Sequence, residues 1–214
     1  MISLFDPSRI QRVLCLGAHS DDIEIGAGGT ILRLIEQNPK IEFHWAVFGG
    51  REDRQLEARR SAEEWLQGAE KKSVQTYSFR DAFFPSQLES IKEAFEAIKG
   101  SFVPDLIFTH YRDDMHQDHR VINQLTWNTF RSHTVLEYEI VKFDGDLGHP
   151  NVFVPLSTAI VENKTNLLLQ HFASQRGKQW YDADTFRGYM RIRGIECNSP
   201  TKFAEAFHGR KIVL

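Results

Sequence analysis

The sequence has little cysteine and no long apolar run, and both shortages narrow the classes of protein it can be. Only two of the 214 residues are cysteine, Cys15 and Cys197, which is too few for a disulfide framework or a thiolate zinc site. No stretch approaches the roughly 18 consecutive apolar residues of a membrane span. We therefore expect both cysteines to be reduced and structural, and no membrane span.

The sequence also lacks a block of basic charge and a recognisable leader. Its 26 basic and 29 acidic residues give a net charge of -3, so the electrostatic footprint of a nucleic-acid-binding protein is missing. Residues 1–7 contain neither the basic region nor the sustained apolar region of a secretory signal. These features predict a cytoplasmic protein without a nucleic-acid partner.

What the sequence does contain is a regular alternation of apolar runs and helical patterns, with no linker or repeat between them. Strands are predicted at residues 12–17, 41–47, 72–79, 106–108, 136–143 and 152–155. Helices are predicted at residues 30–36, 56–70, 88–98, 118–130, 161–171 and 184–193. This order predicts a single α/β domain over residues 1–214, with a three-layer α/β/α, Rossmann-like architecture and a mostly parallel sheet.

A first group of polar side chains follows the first predicted strand, where parallel sheets bind ligands. His19 and Asp22 can direct a nitrogen and an oxygen toward one cation, while Asp21 remains available as a free carboxylate. Two adjacent ionised carboxylates raise each other's pKa, and a divalent metal would relieve that repulsion. The alternative is that both aspartates only cap the following helix.

A second group, residues 114–119, follows the predicted strand at 106–108 and leads into a helix. Catalytic zinc sites use three protein ligands and leave one position for water, and a local pair is often completed by a distant residue. His119 fits as that third ligand. Asp118 as a simple helix cap and His116 as a surface histidine are the alternatives, but two strand-end groups supplying His and Asp favour one shared site.

The two groups resemble the signatures of the LmbE-like, or PIG-L, family of zinc-dependent N-deacetylases, which are His-Pro-Asp-Asp-x-Glu and His-x-Asp-His. Residues 19–24 match the first signature with Ser20 in place of the usual proline. Residues 116–119 match the second, with Gln117 at a position that is frequently proline. Neither departure removes a metal ligand. The resemblance continues over most of the chain, in Arg59, Arg60, Glu63 and residues 171–175.

The resemblance implies a hydrolase with the LmbE-like deacetylase fold that removes the acetyl group from an N-acetylated amino-sugar conjugate, similar to N-acetylglucosamine. It implies Zn²⁺, or another divalent transition metal, held by His19, Asp22 and His119. Oligomers occur in this family, so the resemblance is compatible with a homo-oligomer.

The same resemblance implies roles for three further side chains. Asp21 would be the general base, His116 would stabilise the oxyanion, and Asp118 would orient or tune His116. A non-catalytic metal-binding or regulatory module is the main alternative. Asp21 argues against it, because a structural zinc site has four protein ligands and no use for a free carboxylate.

A nucleotide-binding Rossmann protein is a weaker alternative, suggested by Gly26, Gly28 and Gly29. The dinucleotide fingerprint would require glycine at Ile31, and the two aspartates would repel a pyrophosphate. The glycines are more simply explained by close packing beneath the metal.

Substrate contacts are the least determined part of the sequence. Arg51 could bind a phosphate or a sugar hydroxyl, with a surface ion pair as the equal alternative. His110 is close enough to the second group to contact substrate, unless it is a loop histidine with its own hydrogen bonds. Trp180 and Tyr181 could stack on a sugar or pack in the core. The arginine- and aromatic-rich stretch 172–193 could close over the site, form a subunit contact or be a solvated face.

Overall fold

A seven-stranded sheet organises the protein, and the computed structural model describes residues 9–212. The strands are β1 (Arg12–Gly17), β2 (Glu42–Gly49), β3 (Lys71–Phe79), β4 (Leu106–His110), β5 (Thr134–Tyr138), β6 (Val152–Pro155) and β7 (Ala204–Gly209). They lie in the order β3-β2-β1-β4-β5-β7-β6. Strands β1 to β5 are parallel, whereas β7 enters between β5 and β6 and runs antiparallel to both.

Helices cover both faces of this sheet. Within the described residues they are α1 (Asp22–Gln37), α2 (Glu52–Trp65), α3 (Leu88–Ser101), α4 (Gln117–Thr129), α5 (Thr158–His171) and α6 (Ala183–Glu196). Helices α1, α2, α5 and α6 pack on one face, and α3 and α4 pack on the other. The predicted three-layer, mostly parallel α/β/α fold is confirmed.

Strand β1 shows why the sheet is buried on both sides. Val13 and Cys15 point into the apolar core beneath α1 and α2, while Leu14 and Leu16 point into the core beneath α3 and α4. All four side chains are completely buried, as the period of two residues in a strand requires for a continuous apolar run. Cys15 is a free, buried thiol, and so is Cys197, in agreement with the structural role expected for both.

Helix α1 begins at Asp22, eight residues before the predicted start at residue 30. The glycines therefore lie inside the helix, where they allow close packing. A Cβ atom on Gly26 would lie 2.2 Å from Cδ2 of Tyr138, and one on Gly28 would lie 2.8 Å from Nε1 of Trp65. Because this stretch is a buried helix interior and not a loop, it does not form a phosphate-binding turn.

Two further boundaries differ from the sequence prediction by five residues. The strand predicted at residues 136–143 ends at Tyr138, and residues 139–151 contain no further strand. The helix predicted to reach residue 70 ends at Trp65. Strand β7 was not predicted. None of the helices in residues 9–212 is long and apolar enough to cross a lipid bilayer, and residues 1–7, where no signal was found, lie outside the described residues.

Candidate metal centre and active site

The two polar groups of the sequence meet at the carboxyl edge of the sheet. Strands β1 and β4 are hydrogen-bonded neighbours and run parallel, so the loops that follow them lie side by side. The first loop carries His19 and leads to Asp22 at the start of α1. The second leads to α4, whose first turn carries His119.

The ring nitrogens and the carboxylate of these three residues form a small triangle. His19 Nδ1 lies 3.2 Å from His119 Nε2. Asp22 Oδ2 lies 3.4 Å from His19 Nδ1, and Asp22 Oδ1 lies 3.5 Å from His119 Nε2. In a tetrahedral zinc site with bonds near 2.0–2.1 Å, ligand atoms are separated by about 3.3 Å. The spacing of these three side chains therefore fits one zinc ion.

Carboxylates behind the two histidines determine which ring nitrogens carry protons. Asp118 Oδ2 lies 3.2 Å from His19 Nε2, and Asp114 Oδ2 lies 2.9 Å from His119 Nδ1. An ionised carboxylate only accepts hydrogen bonds, so both of these ring nitrogens donate. In their neutral forms the rings therefore direct lone pairs from His19 Nδ1 and His119 Nε2 toward each other.

The pKa values of the two histidines shift in opposite directions. Burial by itself lowers the pKa of His19, but Asp22 and Asp118 outweigh it and raise that pKa to about 10. Burial and the neighbouring His110 lower the pKa of His119 to about 3. In the protein without a metal, a proton on His19 thus supplies the charge that the nearby carboxylates demand, and a metal cation would supply the same charge.

Other donor sets overlap with this triangle. His19, His116 and His119 form one compact three-residue set, and Asp22, His110 and His119 form another. Both share His119, so they describe one centre and not two. Within residues 9–212 no other group of histidine, cysteine and carboxylate side chains has such spacing.

Asp21 lies at the same edge without belonging to the triangle. It occupies the N-cap position of α1, but its side chain makes no capping hydrogen bond. Instead Asp21 Oδ1 accepts a hydrogen bond from Arg54 Nη2 at 3.1 Å. Burial raises the pKa of Asp21; Arg54 opposes that shift and Asp22 adds to it. A simple helix cap therefore does not explain Asp21, which is a buried carboxyl group with increased basicity.

His116 borders the same space from the second loop. It is the N-cap residue of α4, and its Nδ1 accepts a hydrogen bond from the backbone N–H of Asp118 at 3.3 Å. The proton of the neutral ring is therefore on Nε2. The His116 ring centroid is 4.8 Å from that of His19 and 4.6 Å from that of His119. His116 is thus a hydrogen-bond donor beside the triangle.

Asp118 was expected to orient or tune His116; its carboxylate makes no hydrogen bond to that ring, although its charge opposes the lowering of the His116 pKa by burial. Its carboxylate contacts His19 and accepts hydrogen bonds from the backbone N–H groups of Ala82 at 2.6 Å and Phe84 at 3.1 Å. Only its own backbone N–H contacts the His116 ring. The reason is geometric: residues two apart at a helix start point in different directions, so Asp118 faces the β1 loop.

His110, a candidate substrate contact, is not among the residues that line the cavity at this edge. It is completely buried at the end of β4, where its Nε2 accepts a hydrogen bond from Ala18 N at 2.9 Å and lies 3.2 Å from Asp22 Oδ2. Its ring stacks on His119 with centroids 3.9 Å apart. His110 therefore lies behind the candidate metal ligands. Arg51 lies at the mouth of the cavity above this edge, and its side chain is 84% exposed and paired with Asp53 at 3.1 Å. Its position is therefore compatible both with a substrate contact and with a surface ion pair.

A cavity of about 840 Å³ opens above the triangle. Besides the residues already described, its walls include Asp81, Phe143, Gln175, Lys178 and Trp180. Part of the stretch 172–193 thus closes over the site, with Trp180 in the wall. Tyr181 is buried in the core, where its hydroxyl donates to Leu168 O.

Sequence reasoning missed Arg54 and gave Asp114 no role. Arg54 lies inside a run of charged residues that is typical of an exposed helix, and no local signal separates it from its neighbours. Asp114 could have been noticed in the sequence, because it begins the second polar group. Its hydrogen-bond partner, His119, could be recognised only from the structure, in which the first turn of α4 places that ring next to the Asp114 carboxylate.

Comparison with known proteins agrees with this geometry. The sequence profile of the family described as PIG-L, GlcNAc-PI de-N-acetylase, matches residues 14–130, more than half of the chain. Both polar groups lie within the matched region.

Solved structures share the fold at low sequence identity. N,N'-diacetylchitobiose deacetylase from Pyrococcus horikoshii has a TM-score of 0.71 at 20% identity, covering 97% of this chain and 87% of its own. The zinc-inhibited form of teicoplanin deacetylase Orf2 has a TM-score of 0.64 at 14% identity, with coverages of 92% and 95%. GalB, the 4-carboxy-2-hydroxymuconate hydratase of Pseudomonas putida KT2440, has a TM-score of 0.72 at 16% identity, with coverages of 95% and 98%. At these identities the likeness shows the fold alone.

Proposed function

The chain belongs to the PIG-L family and is an N-deacetylase, an amidohydrolase; from this premise we propose that it is zinc-dependent and acts on an N-acetylated amino-sugar conjugate. The family match supports the reaction type. The sugar and the metal go beyond it, and each rests on its own observation in the site.

The observation that carries the metal proposal is the close approach of two imidazole nitrogens beside a carboxylate. His19 Nδ1 and His119 Nε2 lie 3.2 Å apart, with the Asp22 carboxylate beside them, while the other nitrogen of each ring faces a second carboxylate. Without a cation or an added proton this arrangement is repulsive. His19, Asp22 and His119 would hold the ion. When bound, zinc supplies Lewis-acid chemistry, which acidifies water and polarises a carbonyl group.

Asp21 would act as the general base that accepts a proton from the attacking water. Its raised pKa favours this role, because a base is most effective when its pKa approaches the working pH. Arg54 holds the carboxylate at Oδ1, which leaves Oδ2 for the proton. Asp21 would then pass that proton to the departing amine as the amide C–N bond breaks, which balances the proton transfers.

His116 would stabilise the negative charge that develops on the amide oxygen. Its Nδ1 accepts a backbone hydrogen bond, so Nε2–H is the group that can donate into the site. Removing one such donor typically costs a factor of about 100 or more in rate. This donation is available from the neutral ring and does not require an imidazolium.

The composition of the cavity supports a sugar-like substrate. Charged side chains with several donors and acceptors, such as Arg54 and Asp81, can bind hydroxyl groups, and the partly exposed Trp180 offers an aromatic face. The cavity volume of about 840 Å³ lies in the upper part of the range for ligand cavities and is large enough for more than one sugar ring. Arg51 at the mouth would contact the distal part of the conjugate.

An acetate-release screen with the metal content controlled tests this proposal. The protein is stripped with a chelator, reloaded with zinc, and offered N-acetylated amino sugars together with N-acetyl amino acids that lack a sugar ring. We expect acetate release from the sugars only, loss on chelation and recovery with zinc. Zinc binding without acetate from any compound would support the non-catalytic metal-binding module instead. Release from the amino acids alone would refute the sugar assignment.

A further inference from the structure

One buried ammonium group outside the proposed catalytic set is surrounded by carboxylates. Lys142, in the segment between β5 and β6, has a side chain only 8% exposed. Its Nζ lies 3.1 Å from Asp114 Oδ1, 2.5 Å from Asp146 Oδ2 and 3.7 Å from Asp144 Oδ2. A buried charge is costly unless it is paired, and removing one partner of such a pair is costly as well. This cluster therefore constrains each group in it.

Asp114 transmits that constraint to the metal centre. Its Oδ1 accepts from the backbone N–H of His116 at 2.8 Å and from Lys142, and its Oδ2 contacts His119 Nδ1 at 2.9 Å. Both oxygens are thus engaged, and the carboxylate plane cannot rotate without breaking one of these contacts. Because Nδ1 of His119 donates, Nε2 of the same ring keeps its lone pair directed at His19 and Asp22.

Asp146 ties the same cluster to the backbone of the second motif. Besides contacting Lys142, it accepts a hydrogen bond from Met115 N at 2.8 Å. Residues 139–151 are therefore attached to residues 114–116 at two points. This segment carries Phe143 into the cavity wall, so the wall and the metal ligand share one support.

From these contacts we infer that Lys142 is a positioning residue for the metal centre. It holds the Asp114 carboxylate in the orientation that presents His119 Nε2 to the metal, and it docks the 139–151 segment on the same carboxylate. The inference rests on the proposed function only in that it takes His119 as a metal ligand. Lys142 also lines the cavity, and we assign it no step of the reaction.

The test is zinc affinity in the absence of substrate. In a competition titration with a chromophoric chelator, Lys142→Met is expected to bind zinc about tenfold more weakly than the wild type. This is the lower limit of the 10–100-fold range for lost outer partners of metal ligands, because Lys142 acts through Asp114. Lys99→Met, which removes a lysine 52% exposed near Glu96 on α3, is the matched control and should bind as the wild type does. Lys142→Gln, which keeps a hydrogen-bond donor, provides a second variant should Lys142→Met fail to fold, and it should weaken zinc binding by a smaller factor that still exceeds twofold.

A double-mutant cycle separates positioning from a general loss of stability. Asp114→Asn should also weaken zinc binding, and the double variant Lys142→Met/Asp114→Asn should be no weaker than Asp114→Asn alone, because Lys142 acts through Asp114. Independent, multiplying losses would overturn the inference. So would zinc affinity within twofold of the wild type in folded Lys142→Met or Lys142→Gln. A wild type that binds zinc but releases no acetate would refute the proposed function and leave this result standing.

Discussion

Replacement of Asp21 by asparagine separates the proposed base from the metal ligands. The amide has the same size as the carboxyl group but cannot take up the water proton. Loss of a positioned general base typically lowers the rate by a factor of 10² to 10⁴, which corresponds to about 3 to 5 kcal/mol in the activation barrier. We therefore expect kcat for Asp21→Asn to fall by that factor at saturating zinc.

The structure also predicts what this substitution leaves intact. Arg54, the partner of Asp21, keeps its hydrogen bonds to Glu57 at 2.6 Å and to the Ser174 hydroxyl, so it is not left without a partner. The cost in stability should therefore be about 1 kcal/mol or less. Zinc content should also be unchanged, since Asp21 lies outside the triangle of ligand atoms.

Two measurements on the same samples check this prediction: the rate of acetate release, and zinc per chain by elemental analysis. Asp53→Asn is the control, because it removes a carboxylate 61% exposed from the first turn of α2. A zinc-loaded Asp21→Asn protein with a kcat within threefold of the wild type would refute the assignment of the base. Loss of zinc together with activity would instead mean that Asp21 supports the metal.

Three other substitutions probe the site and its support. His119→Ala should abolish stoichiometric zinc binding, since it removes one of three ligands, and retention of one tightly bound zinc per chain would count against the triangle. His116→Ala should lower kcat about 100-fold with zinc retained; unchanged turnover at saturating zinc would remove the ring from the mechanism. Gly26→Ala should destabilise the fold by about 1–3 kcal/mol, because its Cβ would lie 2.2 Å from Tyr138. As a control, Gly188→Ala, at an exposed position of α6 with no atom within 4 Å of its Cβ outside its chain neighbours and the helix backbone, should be neutral or stabilising in a thermal melt.

The elements that were predicted well are those whose own residues carry the signal. Strand β1 was predicted with its observed bounds, because a short apolar run ended by glycine is typical of a strand buried on both faces. The start of helix α1 was predicted eight residues too far along the chain, because glycine weakens a helix in isolation. Only the close packing of Trp65 and Tyr138 against this helix explains why glycine is needed there. Strand β7 escaped prediction, since it is stabilised by pairing with β5 and β6 on either side.

The candidate site divides in the same way. His19, Asp22 and His119 could be proposed as ligands from the sequence, because each follows a strand whose carboxyl end lies at the ligand-binding edge of a parallel sheet. The side chains that contact these residues from behind could not be predicted from the sequence. Asp118 faces His19, Asp114 faces His119, and Lys142 holds Asp114, and these pairs join residues from separate segments of the chain.

The sequence alone thus determined the alternation of strands and helices and the two motifs whose side chains suit a metal, since periodicity and residue chemistry are local properties. The tertiary structure decided which carboxylate meets which imidazole, that His110 is buried behind the proposed ligands, and that Arg54 pairs with Asp21. Those contacts depend on where the loops after β1, β2 and β4 and the segment after β5 converge. Their convergence results from packing across the whole sheet, and no short stretch of sequence encodes it.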